Sequence, residues 1–241
     1  MSILRAATLH SEIVLVPVGG TVNPVPGANG SEWVVEEFLR NTGNQSIDYF
    51  GRRCPFDPCI FRLSPGSTVS FPGGDAYTFG FVAPADNVRF TIFVRDRTKQ
   101  SDTFGAQLPV VRERELKDDR VELIYVPTDR AFRRNLRLYT VRTTLEPNRV
   151  SVLRVRAYDA NADLEQHERL LGEREYTVDS TNGPERESTG YLLVPNIDDL
   201  YAGDSASAVR LVVERVSGTA KIWAFVTLTN NATHHVTTVT P

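Results

Sequence analysis

Short runs rich in Val, Thr, Phe and Tyr recur along this chain, separated by Gly, Pro, Asn and Asp. Runs of this length and composition predict β-strands bounded by turns. Helical periodicity is nearly absent, so the sequence predicts an all-β sandwich protein with short turns and at most one short helix. The predicted strands cover residues 13–18, 33–39, 68–71, 89–94, 121–126, 135–141, 151–158, 173–178, 209–216 and 221–229.

One segment predicts a helical turn. In PNIDDLYAG (residues 195–203), Asn196 is positioned to cap a short helix that ends before Gly203. A second helix through ADLEQHERLLGE (residues 162–173) is an alternative, but a long hairpin tip agrees better with the strand patterns on both sides.

A similarity between two segments of the chain, called the internal echo below, predicts two structural units. FVRDRTKQSDTFGAQLP (residues 93–109) aligns without gaps on FVTLTNNATHHVTTVTP (residues 225–241), and each segment predicts a strand, a polar turn and a second strand. A chain of 241 residues is long enough for one large β domain or two ordinary ones. We therefore expect two consecutive β-sandwich domains, residues 1–111 and 112–241, joined by the charged stretch 112–119.

Charge is balanced overall and uneven locally. The net charge of −3 and the absence of a long apolar run give no reason to expect nucleic acid as a partner or a membrane span. Residues 130–142 are strongly basic, which suggests either a patch that binds nucleic acid or another polyanion or, as we favour, an outer face neutralised by a neighbouring acidic strand. Alternating arginines and glutamates predict a cross-strand ladder, with Arg154 and Arg156 beside Glu173 and Glu175.

The motifs of common catalytic and metal sites do not fit the chain. Asp159, Asn161 and Asp163 have the spacing of a calcium loop, but leucine stands where that loop needs glycine and glutamate. The adjacent His234 and His235 would point to opposite faces of a strand, so we expect no metal site and no cofactor. We also find no nucleophile motif and expect no catalytic residue. A weaker alternative is an enzyme whose site forms at the domain junction, near Asp118 and Asp119.

The two cysteines of the chain lie together in CPFDPC, at Cys54 and Cys59. A redox dithiol would need two intervening residues at a helix N-terminus, and a zinc half-site would need a second ligand pair. We therefore predict a disulfide within a proline-bent loop, which stabilises the fold by about 2 kcal/mol. A disulfide implies an oxidising compartment, so we expect a mature chain from which a signal peptide has been removed.

Three segments of the chain carry a resemblance: VLVPVGGTVNPVPGANGSEWVVEEFLRNTG at the start, DTFGAQLPVV at the end of the first unit, and the stretch from GYLLVPNIDDLYAG to the final hairpin. Together they resemble a family of predicted secreted bacterial proteins. The chain departs from that family at Ala106 and in its EQHE hairpin tip. The resemblance implies two immunoglobulin-like β-sandwiches exported by bacteria, and it brings no assigned reaction, ligand or functional residue.

Two functional hypotheses follow from the sequence. The first is an exported, non-enzymatic protein that acts through its surface in adhesion, envelope structure or filament assembly. Its partners would be proteins or glycans at the cell surface, including further copies of itself. The alternative is a carbohydrate-binding module that stacks sugars on Trp33, Tyr77 or Tyr201, although a tryptophan at the start of a strand more often packs in the core.

Overall fold

The computed structural model of the chain describes residues 12–21, 23–50, 60–70, 77–81, 87–142, 149–161, 168–180, 189–202 and 206–241. The side chains at positions 12, 49, 50, 60, 61 and 77–81 lie outside that description. The predicted Cys54–Cys59 disulfide also falls outside the described residues, so it stays a prediction.

The N-terminal half, as the name is used below, ends with the strand at residues 111 and 112. Its described strands are β1 (Glu12–Val16), β2 (Val25–Pro26), β3 (Glu32–Asn41), β4 (Ile47–Phe50), β5 (Ile60–Leu63), β6 (Thr68–Ser70), β7 (Tyr77–Phe81), β8 (Val88–Asp96), β9 (Ala106–Leu108) and β10 (Val111–Arg112). They form sheet A in the order β10-β1-β7-β4-β5 and sheet B in the order β2-β3-β8-β9, with β6 also paired to β3.

The C-terminal half contains longer strands. They are β11 (Arg120–Pro127), β12 (Phe132–Val141), β13 (Val150–Asp159), β14 (Leu170–Asp179), β15 (Thr189–Val194), β16 (Ala208–Ser217), β17 (Lys221–Asn230) and β18 (Val236–Val239). Sheet C has the order β15-β12-β17-β18, and sheet D has the order β11-β16-β13-β14.

The all-β prediction is confirmed, and each of the ten predicted strands overlaps a strand of the structure. Every described strand pair is antiparallel, which agrees with the short turns of the sequence. Both segments of the internal echo form hairpins, one from β8 and β9 and the other from β17 and β18. Local alternation of apolar residues was therefore sufficient to locate most strands.

Each half encloses its own apolar core between two sheets. In the N-terminal half, Val14 and Val16 of β1 face Val35 and Leu39 of β3 and Ile92 of β8. In the C-terminal half, alternate residues of sheets C and D meet in a larger core. Both halves therefore have a sandwich architecture, with the inward residues of each strand at every second position.

The described helical turns are short 3-10 turns at Ala28–Gly30, Glu113–Glu115 and Ile197–Leu200. The last of these confirms the predicted turn, but the predicted role of Asn196 was wrong in detail. Its side chain makes no capping bond, and its backbone is left-handed, with φ of 50°. Asparagine tolerates that conformation better than most residues, so its contribution is to the chain reversal.

Candidate functional site

A third apolar cluster lies between the two halves. Strands β12 and β17 turn their even-numbered residues into the C-terminal core, yet several odd-numbered residues on the opposite face are also buried. Those residues pack against β1 and the segment after β9; the cluster contains Ile13, Leu15, Val111, Leu116, Tyr139, Val141, Trp223 and Phe225. The junction is therefore built like a domain core.

Tyr139 is the central polar contact of this junction. Its ring stacks on that of Phe225, with centroids 6.1 Å apart and planes at 11°. Its hydroxyl donates a hydrogen bond of 2.7 Å to the carbonyl of Pro17 in the N-terminal half. Burial raises the pKa of Tyr139, so the hydroxyl stays protonated and keeps its role as a donor.

The turn between β17 and β18 makes a second connection. His234 adopts a left-handed backbone, with φ of 57°, which turns its side chain into the N-terminal half. There its Nδ1 atom hydrogen-bonds the carboxylate of Asp96. The imidazole also stacks on the indole of Trp33 at 6.4 Å, and Trp33 lies directly opposite Asp96 in the β3–β8 pair.

Asp96 is held by more than the histidine. Its carboxylate accepts hydrogen bonds from the backbone N–H of Glu32 at 2.9 Å, from the N–H of Thr98 at 3.0 Å and from the Thr98 hydroxyl. Burial raises the pKa of this carboxyl, but the donors lower it more, to about 2. Asp96 is therefore ionised over the whole physiological range.

A histidine joined to a carboxylate is the arrangement found in many general bases, because the carboxylate orients the ring. Here, however, neither His234 nor Asp96 has any exposed surface. The Nε2 atom that would act on a substrate is buried, with no hydrogen-bond partner among the described residues. In this arrangement the pair connects the two halves and presents no reactive atom to solvent.

The sequence did not reveal this pair, because its members lie 138 positions apart and no local motif connects them. The prediction that His234 and His235 point in different directions agrees with the structure, since His234 is buried and His235 is exposed. The two residues lie in a turn, however, where strand alternation does not apply.

The aromatic residues suggested for sugar stacking are not brought together as one described surface. Trp33 is half-buried, and its indole stacks on the imidazole of His234. Tyr201 is buried in the C-terminal core and its hydroxyl donates to Asp198 at 2.7 Å, so its ring is not available to a ligand. Only the backbone of Tyr77, in β7, is described.

Asp198 also holds a buried cation. The Arg134 guanidinium donates through Nε and Nη2 to the two oxygens of Asp198, at 2.6 and 2.7 Å. Its Nη1 atom donates to the carbonyl of Asp129 at 2.6 Å. Burial raises the pKa of the Asp198 carboxyl, but Arg134 and Tyr201 lower it more, so the net shift is downward. This network links β12 to the turn at Ile197–Leu200 and to the loop between β11 and β12.

The predicted ladder on the outer face of sheet D is confirmed. Arg154 pairs with Glu175 at 2.6 Å and Arg156 with Glu173 at 3.1 Å, in the register expected from the sequence. The network continues onto β16, where Glu214 accepts from Arg156 at 2.6 Å. The charges on this face are therefore largely neutralised.

We expected residues 130–142 to form an outer face that is neutralised by a neighbouring acidic strand, and this expectation was wrong. The acidic strand β14 lies in sheet D, whereas β12 lies in sheet C between β15 and β17. None of the residues of β15, β17 or β18 is acidic. Among the described residues, Arg134 forms an ion pair, whereas Arg133 and Arg137 on the opposite face of β12 form none.

Comparison of the chain with protein-family models, curated proteins and solved structures finds no match. In the described part of the chain, no helix is long and apolar enough to span a membrane. Within the same residues, no three histidine, cysteine or acidic side chains are grouped so that they could hold a metal ion.

Proposed function

We propose that this protein is an exported, non-enzymatic β-sandwich protein that works through its surface, in adhesion, envelope structure or filament assembly. The observation that carries the proposal is a set of large apolar side chains exposed on edge strands of the C-terminal half. Ile124 and Tyr125 on β11 are 70% and 52% exposed, and Tyr191 and Leu193 on β15 are 40% and 38% exposed. Exposed apolar residues on sheet edges are common contacts for other proteins.

The junction supports the same proposal. An apolar cluster and the buried His234–Asp96 contact hold the two halves in one orientation. A protein that transmits force or assembles in a regular array needs such a fixed geometry, because hinge motion would change the spacing of its contact surfaces.

Fractionation of the native host and light scattering of the purified chain test this proposal. We expect the protein in the envelope or the medium, with Cys54 and Cys59 alkylated only after reduction. We also expect assemblies that dissociate in an Ile124→Ser/Tyr125→Ser variant. Val216→Ser is the control, since Val216 is also exposed but belongs to β16, which is not an edge strand. A cytoplasmic protein with free thiols that stays monomeric would refute the proposal.

Carbohydrate binding is the second candidate, and one observation favours it. Tyr191 is exposed on the same face of sheet C as Arg133 and Arg137, so that face combines an aromatic ring with planar hydrogen-bond donors. Aromatic rings and planar polar side chains are common components of sugar sites.

A further inference from the structure

Three alternate residues of β12 form what we call the arginine row: Arg133, Asn135 and Arg137. Since neighbouring residues of a strand face opposite ways, and Leu136 and Leu138 belong to the C-terminal core, the row lies on the outward face of sheet C. Four residues of extended strand place its two arginines about 13 Å apart.

The N-terminal half covers only part of this outward face. On β17, the outward residues from Trp223 to Thr229 are between 0% and 9% exposed. The arginine row on the next strand is half-buried, and Tyr191 and Leu193 on β15 are exposed. Side-chain exposure therefore rises from β17 through β12 to β15. The arginine row lies at the border between the covered and the exposed part of this face.

The charge of the row is not neutralised by described residues. On sheet D, Arg154 and Arg156 each have a glutamate partner. In the part of the chain that the structure describes, neither Arg133 nor Arg137 has a carboxylate partner. The Nε atom of each is buried without a hydrogen-bond partner in the described structure, although Arg137 also lies beside the Tyr139 hydroxyl. A buried Nε atom is out of reach of a ligand on the surface, whereas an anion over this face would neutralise the charge of the two guanidinium groups.

The position of the row also indicates the shape of that ligand. An extended peptide would add to the edge at β15, so β15 would lie between the peptide and β12, and those two would be two strand spacings, about 9.6 Å, apart. A ligand that lies across the face reaches the row directly. Sugar rings fit such a face because they stack on an aromatic side chain and accept hydrogen bonds from amides and guanidinium groups.

We propose that the arginine row binds an acidic polysaccharide, a linear sugar polymer that carries carboxylate groups. Its carboxylates pair with Arg133 and Arg137, its hydroxyls contact Asn135, and a sugar ring packs on Tyr191. This inference rests on the proposed surface function, and it names a ligand for one face of the C-terminal half.

Titration calorimetry with the full chain tests the proposal with three polymers. They are polygalacturonate, its fully methyl-esterified form, which has the same backbone without charge, and poly-L-glutamate, an acidic peptide. We expect binding of polygalacturonate that weakens as salt screens the charges, and no binding of the ester. Stronger binding of poly-L-glutamate, or equal binding of the ester, would overturn the proposal.

Two double variants locate the site. Arg133→Gln/Arg137→Gln should weaken polygalacturonate binding by about tenfold or more, because two charge-assisted contacts are lost. Arg154→Gln/Arg156→Gln removes the same net charge from the opposite sheet and should leave the affinity unchanged. Equal losses in the two variants would show a general charge effect and refute the site.

Hydrogen exchange on the unmodified chain gives a test that does not depend on how the variants fold. Polygalacturonate should slow exchange in β12 and β15, and exchange in β14 should not change. Protection confined to β14 or absent everywhere would contradict the proposal. If polygalacturonate does not bind while the Ile124→Ser/Tyr125→Ser variant still dissociates the assemblies, the acidic-glycan inference fails and the proposed surface function does not.

Discussion

Replacement of His234 by alanine tests whether the turn between β17 and β18 holds the two halves together. The variant loses a buried hydrogen bond to a carboxylate, worth about 1.5–3 kcal/mol. It also leaves a cavity beside Trp33 and places alanine at a φ of 57°, which is unfavourable for that residue. The variant also removes the buried Nε2 atom that has no hydrogen-bond partner among the described residues, which offsets about 1 kcal/mol of the loss in stability. We expect a net loss of about 3 kcal/mol in the free energy of unfolding.

Urea denaturation and calorimetry measure this loss. For a chain of this size, about 3 kcal/mol corresponds to a fall in Tm of about 6–12 °C. His235→Ala is the matched control, because His235 is exposed and the hydrogen bond of its own N–H to Thr233 comes from the backbone. It should change the stability by less than about 0.5 kcal/mol. His234→Gly separates the backbone contribution, since glycine adopts positive φ readily.

Asp96→Ala should destabilise the protein more than His234→Ala. It leaves the backbone N–H of Glu32 and both donors of Thr98 without their acceptor, in addition to the imidazole. We expect a loss of about 4 kcal/mol or more.

If His234→Ala and His235→Ala have the same stability within about 0.5 kcal/mol, the buried contact does not hold the junction and the reasoning is wrong.

Three further predictions concern buried polar groups. Burial raises the pKa of Glu37 from 4.5 to about 7, so between these pH values the folded protein binds a proton that the unfolded chain does not. The free energy of unfolding of the wild type should therefore fall by about 3 kcal/mol as pH rises from 4.5 to above 7. Glu37→Gln should abolish that fall in urea titrations. Asp198→Ala should cost about 3 kcal/mol because Arg134, 1% exposed, loses its carboxylate, whereas the exposed neighbour Asp199→Ala should cost little. Tyr139→Phe removes the buried hydroxyl of the junction and should lower the Tm by an amount equivalent to about 1 kcal/mol.

Strand positions could be predicted because they depend on local alternation. Residues 151–158 and 173–178 show this well, since their charges predicted the register as well as the strands, and Arg154 does lie opposite Glu175. A hairpin joins strands that are close in sequence, so the pairing follows from the pattern itself. Such information is present in the amino-acid order.

Sheet membership could not be predicted in the same way. The sequence gives the charge of residues 130–142 but not which strands lie beside them, and the acidic strand proved to be in the opposite sheet. The His234–Asp96 pair was hidden for a related reason, since it forms only when two distant segments meet. Contacts that depend on topology or on the docking of the two halves leave no periodic signal.

The boundary between the junction and the arginine row is nevertheless marked along β12. On its outward face, the residues at 133, 135 and 137 are polar, and Tyr139 and Val141 are buried in the junction cluster. A strand that was open to solvent along its length would have polar residues at all five positions, and a fully covered strand would have apolar ones. The change from polar to apolar residues at Tyr139 therefore marks the limit of the surface that the N-terminal half covers. Because the polar residues begin at that limit, the row has one side against protein and one side open, which is the geometry that a face-binding ligand requires.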